Sequence, residues 1–142
     1  MKRASILIID NNPIFRRAAT SFLQNNHGDE VLIVGTAAES KEALSQAKVL
    51  RPKVILIELC MPGLDGIDFI PRLRMIVPET RIIALTLLDV GGYRQSALAA
   101  GADDFLSKTR LHTDLLPAIR RLVPPGAHFD ESLGNYVEMT SG

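Results

Sequence analysis

Short apolar runs alternate along the chain with longer segments whose apolar residues recur every three or four positions. Residues 6–9 are all apolar and mostly β-branched, the composition of a strand buried on both faces. Asn12-Pro13 then reads as a helix cap followed by proline at the first helical position. Phe15, Ala18, Ala19, Phe22 and Leu23 follow at helical spacing, and His27-Gly28-Asp29 breaks the helix. The pattern repeats: a strand over 31–34, a helix over 39–50 stopped by Arg51-Pro52, and a strand over 54–59. After the Cys60-Met61-Pro62-Gly63 loop comes a helix over 67–77, where Pro71 predicts a kink or a late start. A strand over 81–86, a loose Gly91-Gly92 entry to a helix over 93–100, a strand over 104–107 and a helix over 113–123 complete the series. Thr113 reads as the cap of this last helix, with Pro117 near its first turn.

Five strands alternating with five helices predict right-handed crossovers and an α/β fold: a doubly wound, five-stranded parallel sheet with five flanking helices. The flavodoxin-like order 2-1-3-4-5 suits five strands. This domain is expected over residues 1–123. Beyond Pro124-Pro125-Gly126 the composition turns polar, so 124–142 reads as a C-terminal tail or linker remnant, with room for one short helix around 132–137 but not for a second domain.

In such a sheet, sites form at the carboxyl ends of the strands, beside the point where the strand order reverses. The first strand ends in Asp10-Asn11, the third in Glu58, the fourth in Thr86 and the fifth in Lys108. Two carboxylates, a hydroxyl and a lysine therefore converge on one rim.

The chain's 142 residues fit one domain, and 46% apolar content supports a packed core. Lys plus Arg equals Asp plus Glu at 16 each, so there is no basic footprint for direct nucleic-acid binding. One cysteine, Cys60, excludes an internal disulfide and suits a reducing compartment, and the apolar run closed by Asp10 is too short for a membrane span or a signal peptide. A cytoplasmic protein is expected. There is no GxGxxG, P-loop, nucleophile elbow or HExxH, and His27, His112 and His128 are scattered. Asp65 suits a helix N-terminus. Asp103 and Asp104 read as surface residues, and Arg120-Arg121 as a solvated helix face.

The segments LIIDNNPIFR, VILIELCMPGLDG, ALT and AGADDFLSK, in this order and spacing, resemble the receiver domain of two-component response regulators over residue 6 to about residue 123. DNNPIFR and AGADDFLSKT look closest to receivers that precede helix-turn-helix effectors. The resemblance implies a phosphorelay signalling module rather than an enzyme, partnered by a histidine kinase or a downstream effector, with a homodimer left open. It implies Mg²⁺ held by an acidic pair, here Asp10 and Asn11, by the acceptor carboxylate and by the backbone carbonyl of Cys60. It implies a phosphate acceptor at Glu58, a switch hydroxyl at Thr86, a switch aromatic at Phe105 and a phosphate-pairing lysine at Lys108.

Two positions depart from that pattern. Asn11 puts a neutral amide where the family has a carboxylate, which weakens a Mg²⁺ site. Glu58 replaces the acceptor aspartate, moving the carboxylate outward by about 1.5 Å and spoiling in-line attack. Asp10, Glu58 and Lys108 then carry two negative charges and one positive, and a direct Glu58–Lys108 ion pair would stand in for metal and phosphate together. The leading expectation is a receiver that signals without phosphorylation, or with impaired phosphorylation, by protein–protein interaction through the surface of the fourth and fifth helices and fifth strand. The alternative is a working Mg²⁺-dependent phosphorelay regulator that controls transcription through an effector domain. A flavodoxin-like enzyme is set aside, because no phosphate-cradling loop follows the first strand. LLPAIRRLVPPGAHFDESLGNYV resembles a last receiver helix entering a linker to a DNA-binding domain. A stand-alone receiver and one separated from its effector both stay open.

Overall fold

A computed structural model of the chain describes residues 3–61, 66–87, 92–124 and 127–138. Five parallel strands, β1 (Ala4–Ile9), β2 (Val31–Ala37), β3 (Val54–Glu58), β4 (Arg81–Thr86) and β5 (Asp104–Ser107), form one sheet in the order β2-β1-β3-β4-β5, as the alternation predicts. The helices are α1 (Pro13–His27), α2 (Ser40–Leu50), α3 (Gly66–Ile76), α4 (Tyr93–Ala100) and α5 (Leu111–Leu122).

Successive strand side chains point to opposite faces, which divides the core in two. Leu7, Ile9, Ile55, Ile57 and Ile82 pack with Ala43 and Ala47 of α2, Phe69, Ile70 and Leu73 of α3 and Ala97 of α4. Ile6, Ile8, Leu56, Ile83 and Leu85 pack with Ala19 and Leu23 of α1 and Leu115, Leu116 and Ile119 of α5. Because β1, β3 and β4 are covered on both faces, their sequences are almost continuously apolar.

Asn12 caps α1 as the sequence predicts: its side chain accepts hydrogen bonds from the Ile14 and Phe15 backbone N–H groups. The late start expected for α3 does not occur. That helix begins at Gly66, with Pro71 inside it, because its first turn presses against the end of β3. A Cβ on Gly66 would lie 2.6 Å from the Leu59 backbone. Residues 62–65 and 88–91, which include Pro62 and Gly63 of the expected loop, Asp65 and Gly91, lie outside the described residues. The fifth helix also begins earlier than expected. A single 3₁₀ turn, Lys108–Arg110, is capped by the Ser107 side chain and runs straight into Leu111, so Thr113 is no cap and Pro117 sits well inside the helix.

Two expectations are corrected. Residues 132–137 are not helical: β6 (Ala127–Asp130) and β7 (Asn135–Glu138) pair as an antiparallel hairpin. The Asp130 carboxylate accepts hydrogen bonds from the Ser132 N–H and hydroxyl, and Gly134 takes φ +66°, so turn chemistry outweighs helical spacing. Nor are Asp103 and Asp104 ordinary surface residues, although Asp103 is only half-buried. Asp104 is buried against Arg121, and Asp103 is enclosed by Arg74 and Arg81, partners 22 or more residues away that local sequence does not reveal. Arg120 and Arg121 are exposed on α5, as expected of a solvated helix face, and from there pair with Glu30 and Asp104.

Candidate functional site

The carboxyl ends of β1, β3, β4 and the turn after β5 border a cleft of about 290 Å³, lined by Asp10, Asn11, Glu58, Cys60, Thr86 and Lys108 among others. Asp10 follows the last residue of β1 and is held there by its own N–H donating to the Ala37 carbonyl at 2.9 Å. Glu58 closes β3. Both are nearly sealed from solvent, at 1% and 6% exposure. Lys108 enters from the 3₁₀ turn, its side chain also 6% exposed.

The three charges form one triad. Lys108 Nζ lies 2.5 Å from Asp10 Oδ2 and 2.7 Å from Glu58 Oε1. It also lies 4.0 Å from the centroid of the Phe15 ring, close enough for a cation–π contact. The outer carboxylate oxygens are occupied too. Asp10 Oδ1 accepts the Asn12 N–H at 2.9 Å, and Glu58 Oε2 accepts the Cys60 N–H at 3.1 Å. All four carboxylate oxygens thus have a donor from the protein itself. Charges this deeply buried persist only when paired and hydrogen-bonded in this way.

Asn11 stands exposed at the cleft's edge. Thr86 is fully buried, with its hydroxyl 3.8 Å from Cys60 Sγ. Phe105 is buried in the core, and Arg94 Nη1 donates to its carbonyl at 3.2 Å. Phe105 also lines a hollow of about 570 Å³ along the free edge of β5, flanked by Arg94, Pro117 and Arg121. Two contributors escaped sequence reasoning. One is Phe15, whose ring backs the lysine. The other is Arg16, whose Nη1 donates to the Asp10 carbonyl at 2.6 Å. Arg16 could have been found from DNNPIFR, since it sits on the first turn of a helix that opens beside Asp10, whereas Phe15 is equally accounted for by the apolar face of α1.

These residues do not fit a Mg²⁺ ion as they stand. Magnesium needs hard oxygens in a near-ideal octahedron. Here the two anionic groups are joined by an ammonium group lying between them, and the third expected ligand side chain is a neutral amide. Among the described residues, no cluster of three His, Cys, Asp or Glu side chains is arranged to hold a metal.

The family model described as "Response regulator receiver domain" matches residues 6–120. Among curated relatives, the chain is 30% identical over 118 residues to the response regulator protein VraR of Staphylococcus aureus, covering 82% of this chain and 54% of that protein. It is 26% identical over 140 residues to the Fimbriae Z protein of Salmonella typhimurium, covering 99% of this chain and 66% of that one. The chain thus spans between half and two thirds of the length of these relatives. Among solved structures it resembles the signal receiver domain of the putative response regulator NarL from Mycobacterium tuberculosis, with TM-score 0.77, 27% identity and coverage of 85% and 96% of the two chains. No helix among the described residues is long and apolar enough to cross a membrane.

Proposed function

We infer the function from one premise: this chain belongs to the response regulator receiver domain family, matched over residues 6–120, and so is a signalling module of two-component systems. We propose that it signals without phosphorylation. Its output then goes to a protein partner, a histidine kinase or a downstream effector, through the face of α4, β5 and α5. The observation that carries this reading is the Lys108 ammonium seated between Asp10 and Glu58, with every carboxylate oxygen already satisfied.

Phosphoryl transfer needs an acceptor oxygen free for in-line attack and cations to neutralise the incoming charge. In this chain one Glu58 oxygen is engaged by Lys108 and the other by the Cys60 amide. The lysine that would meet a phosphoryl group is already paired. The longer glutamate reaches Lys108 directly, so its carboxylate takes the part that a phosphorylated aspartate would take. The hollow beside β5, floored by Phe105 and flanked by Arg94 and Arg121, supplies a mixed apolar and charged surface for a protein partner.

The retained Thr86 hydroxyl and Lys108 favour one competing reading, a Mg²⁺-dependent relay with residual phosphorylation on Glu58. Incubation with Mg²⁺ and a small acyl-phosphate donor, followed by intact-mass measurement, separates the two. No phosphate adduct is expected. A stable adduct that vanishes in Glu58→Ala would establish the relay instead. Restoring both family carboxylates, with Asn11→Asp and Glu58→Asp together, is expected to restore Mg²⁺-dependent labelling.

A further inference from the structure

The end of the sheet opposite the triad carries a second charged assembly, and neither the receiver reading nor the sequence pattern explains it. Arg81 opens β4, and by strand geometry stands roughly 17 Å from Thr86 at the other end. Its side chain is only 12% exposed. The guanidinium lies 5.7 Å from the Phe129 ring centroid and 5.4 Å from that of Tyr136. Those rings, one on each strand of the β6–β7 hairpin, meet edge-to-face at 5.3 Å. Arg81 Nη2 reaches the Gly134 carbonyl in the hairpin turn at 3.4 Å, and Tyr136 packs against the core cluster beneath α1 and α5.

A two-stranded hairpin is marginal in water without something to pack on. Here the packing partner is the guanidinium of half-buried Arg81, whose Nε has no hydrogen-bond partner among the described residues. A buried donor left unpaired costs about 1–3 kcal/mol, so the two neighbouring rings and the ion pair to Asp103 hold the guanidinium in place against that cost.

Asp103 extends the assembly. Its Oδ1 accepts from Arg81 Nη1 at 3.2 Å, and its Oδ2 accepts from Arg74 Nη2 at 2.7 Å and from the Ile82 N–H at 2.8 Å. Arg74 Nη2 also donates at 2.8 Å to the carbonyl of Gly101, the residue that ends α4. One carboxylate therefore holds two arginines: one clasps the hairpin, the other the end of α4.

We propose that the β6–β7 hairpin is a strap docked on the receiver body by Arg81, and that Asp103 couples its docking to the seating of the end of α4. The strap makes residues 127–138 part of the folded unit rather than a loose linker. It gives a change at α4 a route to the chain's C-terminal segment that bypasses the triad. The inference does not depend on how the pocket at the other end is read.

Amide hydrogen exchange on the full chain tests it. Arg81→Lys keeps the charge next to Asp103 but removes the planar, multi-donor guanidinium. It is expected to speed exchange of the hairpin's paired amides roughly tenfold while leaving β1 and β3 unchanged, because a compact ammonium held at Asp103 gives up the Gly134 hydrogen bond and the two-ring contact of the guanidinium. Unchanged hairpin exchange would overturn the docking. Phe129→Leu removes one ring from the strap's contact with Arg81 and leaves Arg81, Asp103 and Arg74 themselves in place. It is expected to speed exchange in the strap and also at residues 101–103, since coupling between two sites is reciprocal. A loosened strap with residues 101–103 unchanged would overturn the coupling, and a strap left undisturbed would overturn the docking.

Discussion

The two ends of the sheet are electrostatic inverses. At the carboxyl rim, two carboxylates share one ammonium. At the amino end, two guanidiniums share one carboxylate. The rim triad is almost sealed, with all three side chains at 7% exposure or less, whereas Arg74 and Asp103 keep 26% and 19%. The lysine is a compact point charge able to sit between two oxygens. The arginines use planar forks and faces, so they can bind carbonyls, a carboxylate and aromatic rings at once. One end neutralises a pocket, and the other ties together elements distant in sequence.

The contrast predicts graded costs. Lys108→Met leaves two buried carboxylates facing one another without their cation. Removing one partner of a buried ionic group costs about 3–5 kcal/mol, the largest loss expected here, read from urea unfolding near neutral pH. Adding Glu58→Gln to that variant is expected to recover much of the loss, since a single carboxylate then remains with its Asn12 amide donor. If the double variant is no more stable than the single, the triad is not the unit described.

At the other end, Asp103→Asn removes the charge between Arg74 and Arg81 but keeps a side chain that accepts a hydrogen bond. A smaller loss is expected, about 1.5–3 kcal/mol for a hydrogen bond to a charged group. A cost equal to that of Lys108→Met would erase the distinction between a sealed triad and an open clasp.

The smallest expected effect is a titration. Burial pushes the Tyr136 hydroxyl above the ordinary tyrosine value, partly offset by the nearby Arg81 charge. The folded chain then keeps this proton at a pH where the unfolded chain has lost it. The stability it contributes is fully present below the ordinary value near ~10 and is lost as pH rises through the raised one. Ultraviolet titration in a Tyr93→Phe background, which leaves Tyr136 as the sole tyrosine, is expected to show the raised value. Arg81→Lys, by undocking the strap, is expected to return it to normal.

The rim was legible in the sequence because topology does the assembling. Once strands alternate with helices in a parallel sheet, their carboxyl ends must share one edge. Asp10, Glu58, Thr86 and Lys108 then meet although 98 residues separate the first from the last. The lysine's aromatic backing by Phe15 was not legible, since its spacing served equally as the apolar face of α1. The amino end was harder still. Asp103 sits beside Asp104 in a polar turn, and only the tertiary fold brings Arg74 and Arg81 to it. The hairpin was missed because SLGNYV carries helical spacing as well as a turn signal. Asp130 and Gly134 decide the matter through local hydrogen bonds and a left-handed backbone.

In the proposed reading, the Glu58–Lys108 pair stands in for metal and phosphate together. A Mg²⁺ titration followed by amide chemical shifts tests it most directly, reading the Asn12 and Cys60 amides that donate to Asp10 and Glu58. The prediction is no saturable shift at either amide through the millimolar range, with shifts appearing once Asn11→Asp and Glu58→Asp are combined. Saturable shifts at both amides in the unaltered chain would contradict it.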